Sequence, residues 1–253
     1  MSDNLQPRGS DDTTLVQPMF TPIKRRSFFM YAGATAGATA LVMAGCSKDS
    51  TTPTPNLPAG NSTTASGAIS LGSGDVGVLN YAYALEQLEA DFYSKVVAQS
   101  QGVLSATEYA YFRQVAAHEA IHRDFFKAAL TRDAGTQVLR GLTPVYPTGT
   151  FTNKTTLLAT AKAFEDLGVA AYNGAGKLLR SPEYLLLAGK IVSVEARHAA
   201  YIRDLITPGS FAADDQVDVV SGLDKSMTPS AVLTVAQTFI TEKLDGSSVG
   251  VNA

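Results

Sequence analysis

The sequence predicts an all-α protein: a four-helix bundle of two antiparallel hairpins joined by one long crossover, followed by a short C-terminal helix. Three observations predict it. From residue 75 onward the apolar residues recur in steps of three and four, the period of a helix that buries one face. The breaks between helical segments run short, long, short. Two of the segments also carry the same polar insertion, Glu-x-x-His, inside an otherwise apolar stripe.

Composition removes several function classes first. The net charge of -3 and a pI near 5.6 leave no basic stripe to neutralise phosphates, so no nucleic-acid partner is expected. One cysteine, Cys46, supports neither a disulfide framework nor a cysteine-based zinc site.

Residues 1–45 read as a targeting segment. Lys24-Arg25-Arg26-Ser27-Phe28-Phe29 is a paired-arginine region running into an apolar stretch that Gly and Thr interrupt. It falls short of the roughly 20 strongly apolar residues of a permanent span. Its end, Leu41-Val42-Met43-Ala44-Gly45-Cys46, resembles a bacterial lipoprotein signal, although Met43 stands where such signals usually carry Leu. That resemblance implies cleavage before Cys46 and lipid on its thiol; the arginine pair resembles a twin-arginine export signal. The expected location is the bacterial cell envelope, with the protein exported and anchored to the membrane through that lipid. Residues 46–74, rich in Thr, Pro, Ser, Gly and Asn, read as a flexible tether. The bundle with its last helix is expected over residues 75–245, with a tail at 246–253.

The first helix is expected over about residues 75–99, with Asp75 as N-cap and Gly102 just past its end. The second opens on Ser105-Ala106-Thr107-Glu108, the spacing of a capping box, and closes at Gly135. The third spans about residues 154–179. The fourth opens on Ser181-Pro182, a polar cap before a proline at the first helical position, and stops before Thr207-Pro208-Gly209. A shorter helix starts at Thr228-Pro229 and runs to near Lys243. The first and third connections are a few residues long, which makes each flanking pair a hairpin. Between them lie the nineteen residues 135–153. At about 3.3 Å per residue these can span ~60 Å, more than the ~37 Å of a 25-residue helix, so the second hairpin can start from the far end.

The chemistry sits where the core should be apolar. Of three histidines, His118, His122 and His198, two occur in the same pattern: Glu119-Ala120-Ile121-His122 and Glu195-Ala196-Arg197-His198. With eight glutamates in the chain, chance gives roughly 0.1 such pairs. A separation of three puts both side chains on one helical face, within reach of one ion. The second helix's inward stripe reads Phe112, Val115, Glu119, His122, Phe126, Ala129. The fourth helix's reads Ala188, Ile191, Glu195, His198, Ile202, Leu205. A buried glutamate there is costly unless paired or bound to metal.

The other two helices offer matching carboxylates. Aligning Ala84-Leu85-Glu86-Gln87-Leu88 with Ala163-Phe164-Glu165-Asp166-Leu167 pairs Glu86 with Glu165 and Tyr93 with Tyr172. The halves therefore read as a degenerate duplication. It favours Glu86 over Glu89 as a ligand candidate, because the partner of Glu89 is Gly168. Glu89, Asp91 and Glu108 are assigned to solvated faces or the helix cap, and His118 to an ordinary hydrogen-bonded histidine. Tyr93 and Tyr172 are open between packing and hydrogen-bonding to the site.

Four glutamates and two histidines in this arrangement resemble the di-iron or di-manganese carboxylate site of the ferritin-like superfamily. Residues 79–93, from Leu79-Asn80-Tyr81-Ala82 to Glu86-Gln87-Leu88-Glu89-Ala90-Asp91-Phe92-Tyr93, resemble its desiccation-related branch. The resemblance implies a ferritin-like bundle with two Fe (or Mn) ions per chain. It gives Glu86, Glu119, His122, Glu165, Glu195 and His198 the ligand roles, with Glu119 and Glu195 the natural bridges. It implies redox chemistry with a small oxidant, O₂ or H₂O₂, in stress protection. Whether the site turns over as an oxidase, peroxidase or catalase-like enzyme stays open. The alternative is a non-catalytic, structural or metal-holding envelope protein; a third reading has Glu119 and Glu195 as metal-free buried acids. The four main helices lack Met, so the haem ligand of some ferritins is missing, and no cysteine cluster exists for internal electron delivery. An oligomer is compatible with a lipid tether; a closed iron-storage cage is not expected with one.

Overall fold

The computed structural model describes residues 63–251. In chain order the elements are β1 (Ile69–Ser70), α1 (Gly74–Gln99), α2 (Ala106–Asp133), α3 (Lys154–Ala175), α4 (Pro182–Ile206), α5 (Pro229–Ala236) and β2 (Leu244–Asp245). The closest packing joins α1 to α2 and α3 to α4, and α1 also packs on α3. The all-α bundle of two hairpins with a long crossover is therefore the fold. Among the described residues no helix is long and apolar enough to cross a membrane. The segment read as an export signal, and Cys46, lie outside the described residues.

Local chemistry sets the helix starts. Ser105 accepts the Glu108 N–H while the Glu108 carboxylate accepts the Ser105 N–H, so the capping box closes in both directions. Asn153, Ser181 and Thr228 each accept an N–H three residues on, and Pro182 and Pro229 follow the last two caps. α1 departs from expectation. It begins at Gly74, inside of which Asp75 lies in the first turn rather than at the cap. The Asp75 carboxylate instead accepts the N–H groups of Arg180 and Ser181, at 2.8 and 2.9 Å, and so ties the start of α4 to the start of α1.

Two ends of the fold also differ from the sequence reading. The stretch assigned to the tether carries Ala68, Ile69 and Leu71 into the core. There β1 pairs in parallel with β2, Ile69 opposite Leu244 and Ser70 opposite Asp245. The expected tail behaves likewise, since Val249 is buried and bridges to Gly74. Three apolar side chains among Ser and Gly suffice here because the pairing partner comes from the far end of the chain. The third helix stops at Ala175 and continues as a 3₁₀ turn, Gly176–Leu178. The last helix stops at Ala236, where a 3₁₀ turn (Gln237–Phe239) leads into β2.

The crossover is pinned rather than loose. Asn80, fully buried on α1, donates to the carbonyls of Leu71 and Gln137 and accepts the Leu139 N–H. Farther along, Tyr146 packs on Phe92 and Phe151 and donates to Asp91 at 2.6 Å. With the β1 segment and the crossover both closing on it, α1 is buried on nearly every face. α2 and α4 bury a single stripe each.

Candidate metal centre

All six predicted residues meet in the middle of the bundle. Glu86 comes from α1, Glu119 and His122 from α2, Glu165 from α3, Glu195 and His198 from α4. The four carboxylates have no exposed surface, and His198 and His122 are 4% and 8% exposed. Their ligand-type atoms fall into two sets, each within 4.8 Å: Glu86, Glu119, His122 and Glu195; and Glu119, Glu165, Glu195 and His198. Glu119 and Glu195 belong to both. Register does this, because a spacing of three stacks Glu and His on one stripe.

Each histidine turns Nδ1 inward. His122 Nδ1 lies 2.8 Å from Glu195, 3.2 Å from Glu119 and 3.6 Å from Glu86. His198 Nδ1 lies 2.9 Å from Glu119, 3.5 Å from Glu165 and 3.9 Å from Glu195. Several of these atoms are close without being satisfied. Glu86 Oε2, Glu119 Oε1, Glu165 Oε2, both Glu195 oxygens and His198 Nδ1 are buried with no properly directed hydrogen bond. That is the geometry of lone pairs aimed at common points rather than of donors facing acceptors. A site this polar, with its acceptors turned on one another, fits a cation.

Two tyrosines brace the outer carboxylates across the bundle. Tyr93 on α1 donates to Glu165 on α3 at 2.5 Å, and Tyr172 on α3 donates to Glu86 on α1. The aligned tyrosines of the two halves thus exchange partners, and both are hydrogen-bond donors to the site as well as packing groups. His118 also proves to be part of the surroundings: its Nδ1 lies 2.9 Å from His198 Nε2, the two rings nearly parallel. Val194, its counterpart on α4, offers no such group.

Glu89 is the residue that the sequence reading misplaced. It is not on a solvated face; it is 3% exposed, and its Oε2 has no partner. The helical period alone could not place it, since α1 buries most of its circumference. Its alignment opposite a glycine was the available signal. Glu108 serves the α2 cap as expected and pairs with Lys154 at 2.7 Å, while Asp91 pairs with Lys95 at 2.6 Å.

The electrostatics follow from crowding acids out of water. Burial, then the charges of Glu195 and Glu119, push the Glu86 carboxyl well above the ordinary range. Burial likewise raises Glu195, and takes Glu165 up to about 8. Burial works against Glu119 too, but its hydrogen bond with His122 and the closeness of both imidazoles, His122 and His198, overcome it and hold this carboxylate below its ordinary value. The histidines answer in kind. Burial alone would lower them, yet Glu119 and Glu195 push His122 up to about 11, and Glu119 and Glu165 push His198 up to about 10. Without metal, two imidazolium ions therefore supply the positive charge at the cluster's centre.

A family model described as a ferritin-like domain matches residues 74–208, more than half of the chain and the whole of the bundle that carries the cluster. No curated protein matches the sequence.

Proposed function

We propose that this chain, which belongs to the ferritin-like domain family, holds a pair of iron or manganese ions among its six buried ligand-type residues and uses them with a small oxidant. The observation that carries this reading is the overlap of two ligand sets through Glu119 and Glu195. A single ion would need one set; two sets that share two carboxylates suit two ions side by side. Carboxylate and imidazole donors suit Fe or Mn, which when bound supply electron transfer to or from O₂ or H₂O₂. Zinc accepts the same donors, but its usual sites are mononuclear and four-coordinate.

The chain's own residues have distinct tasks. Glu119 and Glu195 reach both positions, and Glu86 and Glu165 each serve one end. Tyr172 and Tyr93 hold one oxygen of Glu86 and of Glu165, which leaves Oε2 of each turned inward. His122 and His198 present Nδ1, and must release their protons for a metal to bind. Neutral His118 can accept the His198 Nε2–H, which orients the ring from behind.

The proposal extends to place and purpose: export by a twin-arginine-type signal, lipid on Cys46, and stress protection at the cell envelope. Fatty-acid labelling that persists in Cys46→Ala would sink the lipid anchor. A second reading, metal held without turnover, is favoured by the closure of the site, whose four carboxylates have no exposed surface. Repeated oxidation of added Fe²⁺ beyond one equivalent separates the two.

The deciding experiment is metal content per chain of the full-length protein after anaerobic reconstitution with Fe²⁺ or Mn²⁺, beside Glu119→Ala and His198→Ala. About two ions per chain are expected, with loss in both variants. No bound metal in the unaltered protein would overturn the reading.

A further inference from the structure

The two ends of the bundle are packed differently. Beyond Glu86 on α1 and before Glu119 on α2 stand Phe92 and Phe112, both fully buried. Their rings lie 4.9 and 5.9 Å from the ring of Tyr93, which braces Glu165 from that end. The repeat that aligns Tyr93 with Tyr172 sets Ala171 opposite Phe92, and the one that aligns the Glu-x-x-His motifs sets Ala188 opposite Phe112. Tyr172 therefore braces Glu86 from an end where methyl groups stand in place of two aromatic rings.

Those replacements leave space. A pocket lies there, with Ala171, Ala175, Ala188 and Tyr172 in its wall and about 20 Å³ of room for the centre of a water-sized sphere. That suffices for one small molecule. Ala82 and Phe126, also in the wall, stand one turn from Glu86 and from His122. Of the hydroxyls in the wall, Tyr172 donates to Glu86 and Tyr184 to Asp133, while the buried Tyr81 hydroxyl has no partner. One free side-chain group is too few for a buried water, which makes about three hydrogen bonds. Hydrogen peroxide brings two donors of its own and loses more by entering. An uncharged apolar molecule gives up little, and it restores the contacts that empty space forfeits.

We propose that this pocket receives dioxygen, and not peroxide, about one helical turn from the metal centre. This inference rests on the dinuclear reading above and separates the two oxidants that it admits. The alanines make the room, and Tyr172 joins the pocket to the centre, because its ring is in the wall and its hydroxyl holds Glu86. Peroxide has a polar approach from another side, where the exposed His118 touches His198.

The test has two readouts on the full-length protein. The first is xenon, an apolar probe of similar size, bound to the metal-free chain and followed by the nuclear magnetic resonance shifts of the pocket methyl groups. The second is the initial rate of Fe²⁺ oxidation in the loaded chain, with O₂ or with H₂O₂ under anaerobic conditions. Either oxidant takes two electrons from a pair of Fe²⁺ and two protons from solvent, O₂ leaving as H₂O₂ and H₂O₂ as two waters. Ala171→Val and Ala188→Leu fill the pocket; Ala188 is only half-buried and carries the test if Ala171→Val does not fold. Xenon should shift the methyl groups of Leu85 and Ala175 in the unaltered chain and lose that effect in both variants. The O₂ rate should fall about tenfold in the variants, with the H₂O₂ rate unchanged. Two ions per chain with no xenon shift, an undiminished O₂ rate in the variants, or both rates lowered equally would overturn the inference and leave the dinuclear reading intact. An unaltered chain that takes up no metal would overturn both.

Discussion

The α1–α2 hairpin and the α3–α4 hairpin give the cluster the same groups: an outer glutamate, a tyrosine, and Glu-x-x-His. What surrounds those groups is not the same. The first hairpin adds His118, which reaches the ring of His198 in the other half, and Glu89, whose Oε1 occupies the space a side chain at Gly168 of the other half would take. The second hairpin returns neither contact, because Val194 and Gly168 stand at the matching positions. The two halves therefore match in the groups they bring to the cluster and differ in what supports those groups. The cross-bracing of Tyr93 to Glu165 and Tyr172 to Glu86 shows that even the symmetric parts work only as a pair of halves.

Removing ligands should break the comparison most strongly. Glu119→Gln is expected to cost both ions, on the order of a hundredfold or more in affinity for each. Glu86→Gln and Glu165→Gln should each cost only the ion at their own end. Identical stoichiometry in all three variants would deny that Glu119 is shared.

Next in size is the response of the metal-free chain to pH. Glu86, Glu89, Glu165, Glu195, His122 and His198 all have raised pKa values in the fold; Glu119 alone among the cluster is lowered. Between the ordinary carboxylate pKa and the value of about 8 for Glu165, the native state binds more protons than the unfolded chain. Stability must then fall as pH rises through that window. A drop of roughly 5–10 °C in melting temperature from pH 5 to 8 is expected by calorimetry. With metal bound the slope should reverse, because binding displaces protons. A metal-free melting temperature that rises over this range would contradict the charge assignment.

A smaller effect sharpens the asymmetry. His118→Ala should weaken one ion by about tenfold, with the fold intact because the residue is exposed. His118→Asn should recover part of that loss by again accepting the His198 Nε2–H. Val194→Ala should do nothing to either ion. If His118→Ala weakens both ions equally, the residue does not act through His198.

The smallest test returns to the symmetric braces. Tyr93→Phe and Tyr172→Phe each remove one hydrogen bond from a buried carboxyl. Each should cost about 1–2 kcal/mol in denaturant unfolding of the metal-free protein. A large difference between them would mean that the two halves are not equivalent even in their shared features.

Much of this was legible beforehand. The helices, the two hairpins and all six converging residues follow from period, loop length and the repeated Glu-x-x-His, because a helix fixes which side chains share a face. The aligned tyrosines were visible, although not which carboxylate each would bind. Glu89 was not legible, since burial on α1 depends on the crossover, β1 and α3 closing around it. The contact of His118 with His198 joins residues on two different hairpins, and the β1–β2 ribbon joins the two ends of the domain. No local period encodes either of them.

The sequence by itself determined the fold class and the six residues that converge, because both repeat with the spacing of a single helix. Only the tertiary structure decided which acids are buried, which tyrosine meets which glutamate, and where the halves differ. Those depend on pairs of residues far apart in the chain, brought together by packing that has no signature in any one segment.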